Sequence, residues 1–351
     1  MPGWSARLQD AWTARGLGAR LLLPIAAVFG ALTKLRRALY RAGVLRTLRL
    51  PVRVVVVGNL VAGGAGKTPT AIALVAMLRR HGRVPGIVSR GHGGSVAGVL
   101  DVQPDTPARL CGDEPLLMRL RTGAPVVVGR DRVAAARALL HAHPDVDVLV
   151  SDDGLQHLRL ARDVQVLVFD ERGAGNGWLL PAGPLRESLP RALPPRTVAL
   201  YNADRATTPL PGSLARRKLA GVVDLEAWWQ GGAARPDALA TLTGRRILAA
   251  AGLARPERFF AMLRDAGLDI DPLALPDHCD YATLPWPAAA TEVIVTEKDA
   301  VKLDPGRLAG LRVWVAALDF SFLPAFDAEV IRMLELPPLL TTPTAHGNAP
   351  A

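Results

Sequence analysis

Apolar residues along this chain fall into two textures. One is short unbroken runs rich in valine; the other is longer stretches in which apolar side chains recur every three or four positions. The runs 52–57 (VRVVVV), 146–150 (VDVLV) and 164–170 (VQVLVFD) are short, β-branched and continuous, which predicts parallel strands buried on both faces. The stretch 70–82 (TAIALVAMLRRHG) has helical spacing. Strands are predicted again at 245–252 (RRILAAAG), 292–296 (EVIVT) and 312–318 (RVWVAAL), with a helix at 256–267 (PERFFAMLRDAG). Near the N-terminus Leu21, Ile25, Val28, Leu32, Leu35 and Leu39 recur at steps of 4, 3, 4, 3 and 4, one apolar stripe on a helix of period 3.6. The segment from Arg196 to Ala240 follows neither texture.

Strands alternating with helices point to an α/β fold, and 351 residues suit two domains of about 100–200 residues each. The division expected is an N-terminal arm at 1–49, an α/β domain with a mostly parallel sheet at 50–242, a smaller α/β domain at 243–336, and a disordered Pro/Thr/Ala-rich tail at 337–351.

Charge changes the picture at one end only. Residues 1–53 hold ten Lys and Arg against Asp10 alone, so they carry +9 of the chain's net +10. A nucleic-acid binder would spread such charge over its working surface; an N-terminal concentration points to an anionic surface instead. The uncharged run between Arg20 and Lys34 is 13 residues long, too short to span a bilayer, which takes about 20. With Lys34, Arg37 and Arg41 opposite the apolar stripe, the pattern predicts an amphipathic helix lying on a membrane, or one packed on its own domain. Cys111 and Cys279 have neither metal spacing nor a disulfide framework.

The strongest chemical signal follows the first valine run. GNLVAGGAGKTP (58–69) lies between a predicted strand and a predicted helix, the setting a phosphate-binding loop requires. Gly63, Gly64, Ala65 and Gly66 would let backbone N–H groups close on phosphates, Lys67 would reach the β- and γ-phosphates, and the Thr68 hydroxyl would bind Mg²⁺. Val61 stands where the strict pattern has its first glycine. The second run ends in SDDGLQH (151–157), which puts Asp152 and Asp153 at the carboxyl end of a strand beside that loop; Asp153, supported by Gln156, is the expected Mg²⁺ ligand. After the third run, which ends at Asp170, comes a long irregular stretch, ERGAGNGWLLPAGPLRES, whose Arg186 and Glu187 are candidate site residues; Arg186 could neutralise charge on a transferred phosphoryl group. Asp113 and Glu114 in GDEP open a helical run, where Asp113 is a helix cap or a base. His278 lies among acids in DHCD (277–280) and could be an acid–base partner, a ligand or a surface residue.

Read in order, VVVVGNLVAGGAGKTP, IVSRGHGG, GDEP, SDDGLQH, GNGWLLPAGPLRE, ARPERFF, the Asp277–Cys279 segment and TEKDAVKL resemble the tetraacyldisaccharide 4′-kinases over about residues 20–320. The resemblance implies a P-loop NTPase-like α/β fold with a smaller second α/β domain and an N-terminal amphipathic membrane helix. It implies ATP and Mg²⁺ as cofactors, the lipid A disaccharide 1-phosphate precursor as acceptor, and work at the cytoplasmic face of the bacterial inner membrane, without nucleic acid. It further implies Asp113 as base with His278 as its partner, Lys67 and Thr68 in the ATP loop, Asp153 and Gln156 in the magnesium segment beside Asp152, Arg186 as charge stabiliser, and Glu114 and Glu187 as further site acids. A site shared by Asp113 and His278 would lie between the domains, with closure on ATP expected. Departures are Cys279, where a second His is common, and His92, where Tyr is common; Val61 is usual for the family.

Two other classes share part of the pattern. A nucleotide-driven delivery ATPase or GTPase often has lysine before the first glycine of its loop, where Ala62 stands here. A non-enzymatic membrane adaptor has no need of intact Lys67, Thr68 and Asp153.

Overall fold

A computed structural model describes residues 12–287, 289–308 and 310–335. The tail expected to be disordered, 337–351, and the first eleven residues of the arm lie outside the described residues.

Eight strands build the first sheet: β1 (Arg53–Gly58), β2 (Pro85–Ser89), β3 (Val99–Asp101), β4 (Val126–Gly129), β5 (Val148–Ser151), β6 (Val164–Phe169), β7 (Thr197–Tyr201) and β8 (Ser213–Leu214), in the spatial order β3-β4-β2-β5-β1-β6-β7-β8. Every pairing is parallel except β3 with β4. The valine run of β1 is central. Val55 and Val57 face a core shared with the helices Lys67–Arg80 and Asp113–Thr122, while Val54 and Val56 face a second core with the helix Arg132–Ala142. Burial of both faces is the reason the run is continuous rather than alternating.

The second sheet is β9 (Arg216–Asp224), β10 (Arg246–Ala251), β11 (Asp269–Ala274), β12 (Glu292–Thr296) and β13 (Arg312–Ser321), ordered β11-β10-β12-β13-β9, with only β9 antiparallel. The helix Pro256–Asp265 covers its outer face through Phe259, Phe260 and Leu263. The sheets divide at Ala215, ahead of the 242/243 border read from the sequence. The segment that had no clear texture supplies β7, β8 and β9. The last helix, Pro324–Glu335, packs on β6 and β7, so the chain returns to the first unit.

The N-terminal stripe is helical, as two segments, Leu17–Leu21 and Leu23–Arg41. Its apolar residues face outward: Leu17 and Leu21 are each 80% exposed, and Ile25, Val28, Leu32 and Leu35 are exposed as well, with only Leu39 half-buried. The helix does pack on its own domain, one of the two expectations, but not by its apolar stripe. The face turned inward is Ala26 and Gly30. A Cβ at residue 30 would lie 2.7 Å from Leu179 Cδ1, so glycine there lets the helix lie close against the 171–187 loop. The helix is fastened further by Arg37 to Glu187 (2.7 Å), and its approach by Trp12 Nε1 to Pro181 O (3.0 Å). Among the described residues no helix is long and apolar enough to cross a membrane.

Candidate functional site

A cleft of about 1140 Å³ opens between the two sheets and the inner side of the N-terminal helix. Its floor is the carboxyl edge of the first sheet. The chain leaves β1 into residues 59–66 and enters the helix at Lys67, whose N-cap, Gly66, has φ +94° and no room for a Cβ beside Asn202. Gly63, Gly64, Gly66, Lys67 and Thr68 line the cleft, and Ala65 is buried under them. Lys67 Nζ lies 3.4 Å from Asn59 Oδ1 and 3.7 Å from Asp153 Oδ1.

The SDDG turn leaves β5 directly beside this loop, stitched by Asp152 N to Val88 O (2.9 Å) and Gly154 N to Val57 O (3.1 Å). Its two carboxylates sit in different surroundings. Asp153, at φ +47°, accepts from Arg186 Nη1 (3.2 Å) and neighbours Lys67. Burial alone would raise its pKa, but Lys67 and Arg186 together outweigh that and hold the carboxyl below its ordinary range. Asp152 is 2% exposed; one oxygen accepts from Ser89 Oγ (3.2 Å) and the other, Oδ1, is buried without a hydrogen-bond partner. Burial first, then the like charges of Glu114 and Asp153, push it up to about 7. Gln156 bridges the two sides, with Oε1 3.5 Å from Arg186 and Nε2 3.4 Å from Asn59 O.

This neighbourhood fits a magnesium ion. A carboxylate raised by burial and by like charges, with one oxygen unspoken for, lies beside a second carboxylate, and the near-buried Thr68 hydroxyl follows Lys67 in the adjoining loop. All are hard oxygen donors, and Mg²⁺ takes one or two carboxylates and keeps several waters. The sequence reading favoured Asp153; its two cations both sit on Oδ1, so among the described residues Asp153 Oδ2 and Asp152 Oδ1 are the carboxylate oxygens left open to a metal.

The opposite corner is assembled from both units. Gly112 ends one short helix and Asp113 and Glu114 open the helix Asp113–Thr122, where acids suit the N-terminal dipole. From the second unit, His278 Nδ1 lies 2.9 Å from Asp113 Oδ2, on backbone at φ +62°. Lys298 Nζ reaches Asp277 (3.1 Å), Glu114 (3.5 Å) and Asp113 (3.8 Å), and Lys302 Nζ reaches Asp299 (3.2 Å) and Asp113 (4.0 Å). Burial would raise the Asp113 carboxyl, but the His278 hydrogen bond and the charges of Lys298 and Lys302 outweigh it and keep it ionised below its usual range. The same hydrogen bond raises the His278 pKa. Burial would lower Lys298, but Glu114, Asp113 and Asp277 more than offset it. Asp113 is 5% exposed, covered by these second-unit side chains, whereas Glu114, His278 and Lys298 open onto the cleft. His92 meets His278 edge-on at 5.4 Å between ring centroids.

The sequence-predicted residues thus gather around one cleft, with Glu187 at its rim beside the N-terminal helix. Several neighbours were not singled out. Lys298 and Lys302 stand four residues apart just after the strand EVIVT, the same strand-end signal that marks SDDG. Arg132 is buried, donates to Gly129 O (2.8 Å), and burial pushes it down to about 10; it follows β4 in GRDR, again a strand end. Arg172 lies two residues past Asp170, at the start of the irregular stretch after β6.

Comparison with known proteins comes to one answer. The family model described as tetraacyldisaccharide-1-P 4′-kinase matches residues 18–335. A tetraacyldisaccharide 4′-kinase of Methylibium petroleiphilum is 60% identical, over 92% of this chain and 92% of its own, and one of Leptothrix cholodnii is 57% identical, over 94% and 96%. Among solved structures, LpxK from Aquifex aeolicus, crystallised as an "apo" form in complex with ATP, is similar with a TM-score of 0.75 and 26% identity, over 91% of this chain and 100% of that one.

Proposed function

The chain belongs to the tetraacyldisaccharide-1-P 4′-kinase family, and from that premise we propose how its cleft does the family's chemistry. It is an ATP-dependent lipid A 4′-kinase, a phosphotransferase. The acceptor is the tetraacyl-disaccharide 1-phosphate precursor. Its 4′-oxygen attacks the γ-phosphorus, the bond from that phosphorus to the β–γ bridging oxygen breaks, ADP leaves, and the hydroxyl proton passes to the Asp113 carboxylate. His278 orients that carboxylate and, with Lys298 and Lys302, keeps it ionised. Lys67 and the loop amides hold the phosphates, and Arg186 meets charge on the transferred group. Thr68, Asp153 and Gln156, joined by Asp152, would hold Mg²⁺, which when bound neutralises the phosphate oxygens. Glu114 and Glu187 contact the acceptor side. The observation that carries this reading is the convergence of the phosphate loop, the Arg186–Asp153 pair and the His278–Asp113 pair on one cleft.

A second reading of the base has its own support: Glu114 faces the cleft while Asp113 is covered. Incubation with γ-labelled ATP, Mg²⁺ and the disaccharide precursor, with Asp113→Asn and Glu114→Gln alongside, separates them. Label on the lipid lost with Asp113→Asn and largely kept with Glu114→Gln supports Asp113; the reverse assigns the base to Glu114. ADP and free phosphate without labelled lipid would sink the kinase assignment.

We further propose that residues 17–41 lie in the cytoplasmic leaflet of the inner membrane. Exposed Leu17, Leu21, Ile25, Val28, Leu32 and Leu35 would enter the acyl region while Arg20, Lys34, Arg36 and Arg41 meet anionic headgroups. The two domains are read as a phosphate-loop unit and a smaller unit carrying His278. Vesicles containing anionic lipid should co-sediment the protein, and Ile25→Asp with Leu32→Asp should release it. Equal sedimentation of that double variant would remove the membrane role of the stripe.

A further inference from the structure

The phosphate loop is held from its outer side, carbonyl by carbonyl. Asn59 Nδ2 donates to Val61 O (2.5 Å) and Gly63 O (3.0 Å). Arg172 donates through Nη1 to Ala62 O (3.0 Å) and through Nη2 to Gly64 O (3.2 Å). Asn202 Nδ2 donates to Ala65 O (3.2 Å), and Thr70 closes the series on Gly66 O through its amide (3.1 Å) and hydroxyl (2.8 Å). In a trans peptide the N–H points away from its own C=O. Carbonyls fixed outward therefore commit the intervening amides to the inner side, where anions bind. Among the described residues no amide from Gly63 to Gly66 donates a hydrogen bond.

Arg172 differs from the other members of this collar. It is the only charged one, and its planar fork spans two carbonyls that are two residues apart. Its direction is set by Asp170, 1% exposed, which accepts from Arg172 Nε through both oxygens (3.1 and 3.0 Å). Asp170 also accepts from Arg255 of the second unit, and the neighbouring Glu171 pairs with Arg255 Nη1 (3.3 Å) and with Arg258. Arg258 in turn donates to Asn202 O (3.1 Å). The second unit thus reaches the loop's outer supports at two points, Asp170 behind Arg172 and Asn202 itself, at a place away from His278.

We propose that Arg172 is a positioning residue for ATP: its fork, aimed by Asp170, holds the loop between Ala62 and Gly64 in the shape that presents its amides to the phosphates, and Arg255, by sharing Asp170, makes nucleotide affinity depend on the second unit. The proposal rests on the reading of this loop as the ATP site. It predicts a defect confined to the nucleotide, because neither arginine contributes to the Asp113–His278 corner.

The test is direct binding of a non-hydrolysable ATP analogue with Mg²⁺ to the full-length protein by calorimetry, paired with steady-state turnover. Arg172→Ala should weaken analogue binding about tenfold or more and raise the KM for ATP by a similar factor. The KM for the lipid acceptor and kcat at saturating ATP should stay within about threefold. Arg255→Ala should act in the same direction, about threefold. Arg172→Lys keeps a cation on Asp170 but cannot span both carbonyls; it should fall between wild type and the alanine variant, and it keeps the question answerable if the alanine variant does not fold. Unchanged nucleotide affinity in Arg172→Lys and Arg172→Ala, or a fall in kcat with KM for ATP untouched, overturns the role of Arg172. Unchanged affinity in Arg255→Ala overturns the second unit's part. Wild-type protein that fails to bind the analogue, or binding that survives Lys67→Ala intact, would instead remove the ATP reading of the loop.

Discussion

The phosphate shelf and the base corner face each other across one cleft but are built on different plans. The shelf is local: Lys67, Thr68, Asp152 and Asp153 all stand at the carboxyl ends of β1 and β5, adjacent strands of one sheet. The corner is composite: Asp113 and Glu114 come from the first unit, and His278, Lys298 and Lys302 from the second, 165 residues away for the closest pair. A site made by adjacent strand ends is as stable as the sheet. A site made across a seam is only as stable as the seam.

Perturbing each side in turn tests that contrast. The largest effect is expected at the corner: Asp113→Asn should lower kcat by about 10²–10⁴-fold, the range of a positioned general base, with nucleotide binding preserved. Lys67→Ala, on the shelf, should lower kcat/KM by about 10²-fold or more while the lipid acceptor still binds. If Asp113→Asn also abolished nucleotide binding, shelf and corner would not be separable and the contrast would fail.

Next comes the seam itself. Glu297, at the start of the short helix after β12, takes Arg121 at 2.5 and 2.6 Å, Trp228 Nε1 at 3.4 Å and Leu318 N at 3.2 Å. Glu297→Ala strands those donors and should cost about 2 kcal/mol in urea unfolding, less than a fully buried pair because Arg121 is partly solvated. Turnover should fall by more than ATP affinity does, since Arg121 lies on the helix that carries Asp113. A stability loss with the two parameters falling equally would argue that the seam serves the whole fold rather than the corner.

The smallest effect is a shift in pH. With Asp113 as the proposed base, activity should need its carboxyl ionised and should be lost as pH falls through its pKa. His278, Lys298 and Lys302 depress that pKa, while Glu114 and Asp277 face the same cluster. Lys298→Met removes a cation, so the acidic limb of the kcat/KM profile should move to higher pH by about one unit, and Lys298→Arg should restore it. An unmoved limb would mean that Lys298 does not set the charge of the base.

Legibility in the sequence followed the same division. The shelf could be read from local order alone, because strand, glycine loop, Lys67 and Thr68 are contiguous and SDDG follows its own strand. The strands of the valine runs came out within one or two residues of the structure. The pairing of Asp113 with His278 was available only through resemblance, since no local spacing connects residues 165 apart. Lys298 and Lys302 were visible as a helical pair but had no visible partner. Within the unplaced stretch 196–240, β9 is hidden for a physical reason: it opens on charge (RRK) and is an edge strand, so neither period nor burial marks it. How each carboxylate of Asp152–Asp153 is engaged also could not be read from the pair, because neighbours on β2 and the 171–187 loop decide it.

One connection described above limits how the cleft can open. The chain leaves the first sheet at Ala215 and comes back to it through residues 322–323, ahead of the helix that rests on β6 and β7. Two covalent straps define a line, and any swing of the smaller unit would turn about that line rather than drift, twist or withdraw. Closure of the cleft on ATP about that line would be the travel of a door on two pins, carrying His278 and Lys298 along one arc and back to Asp113 in register.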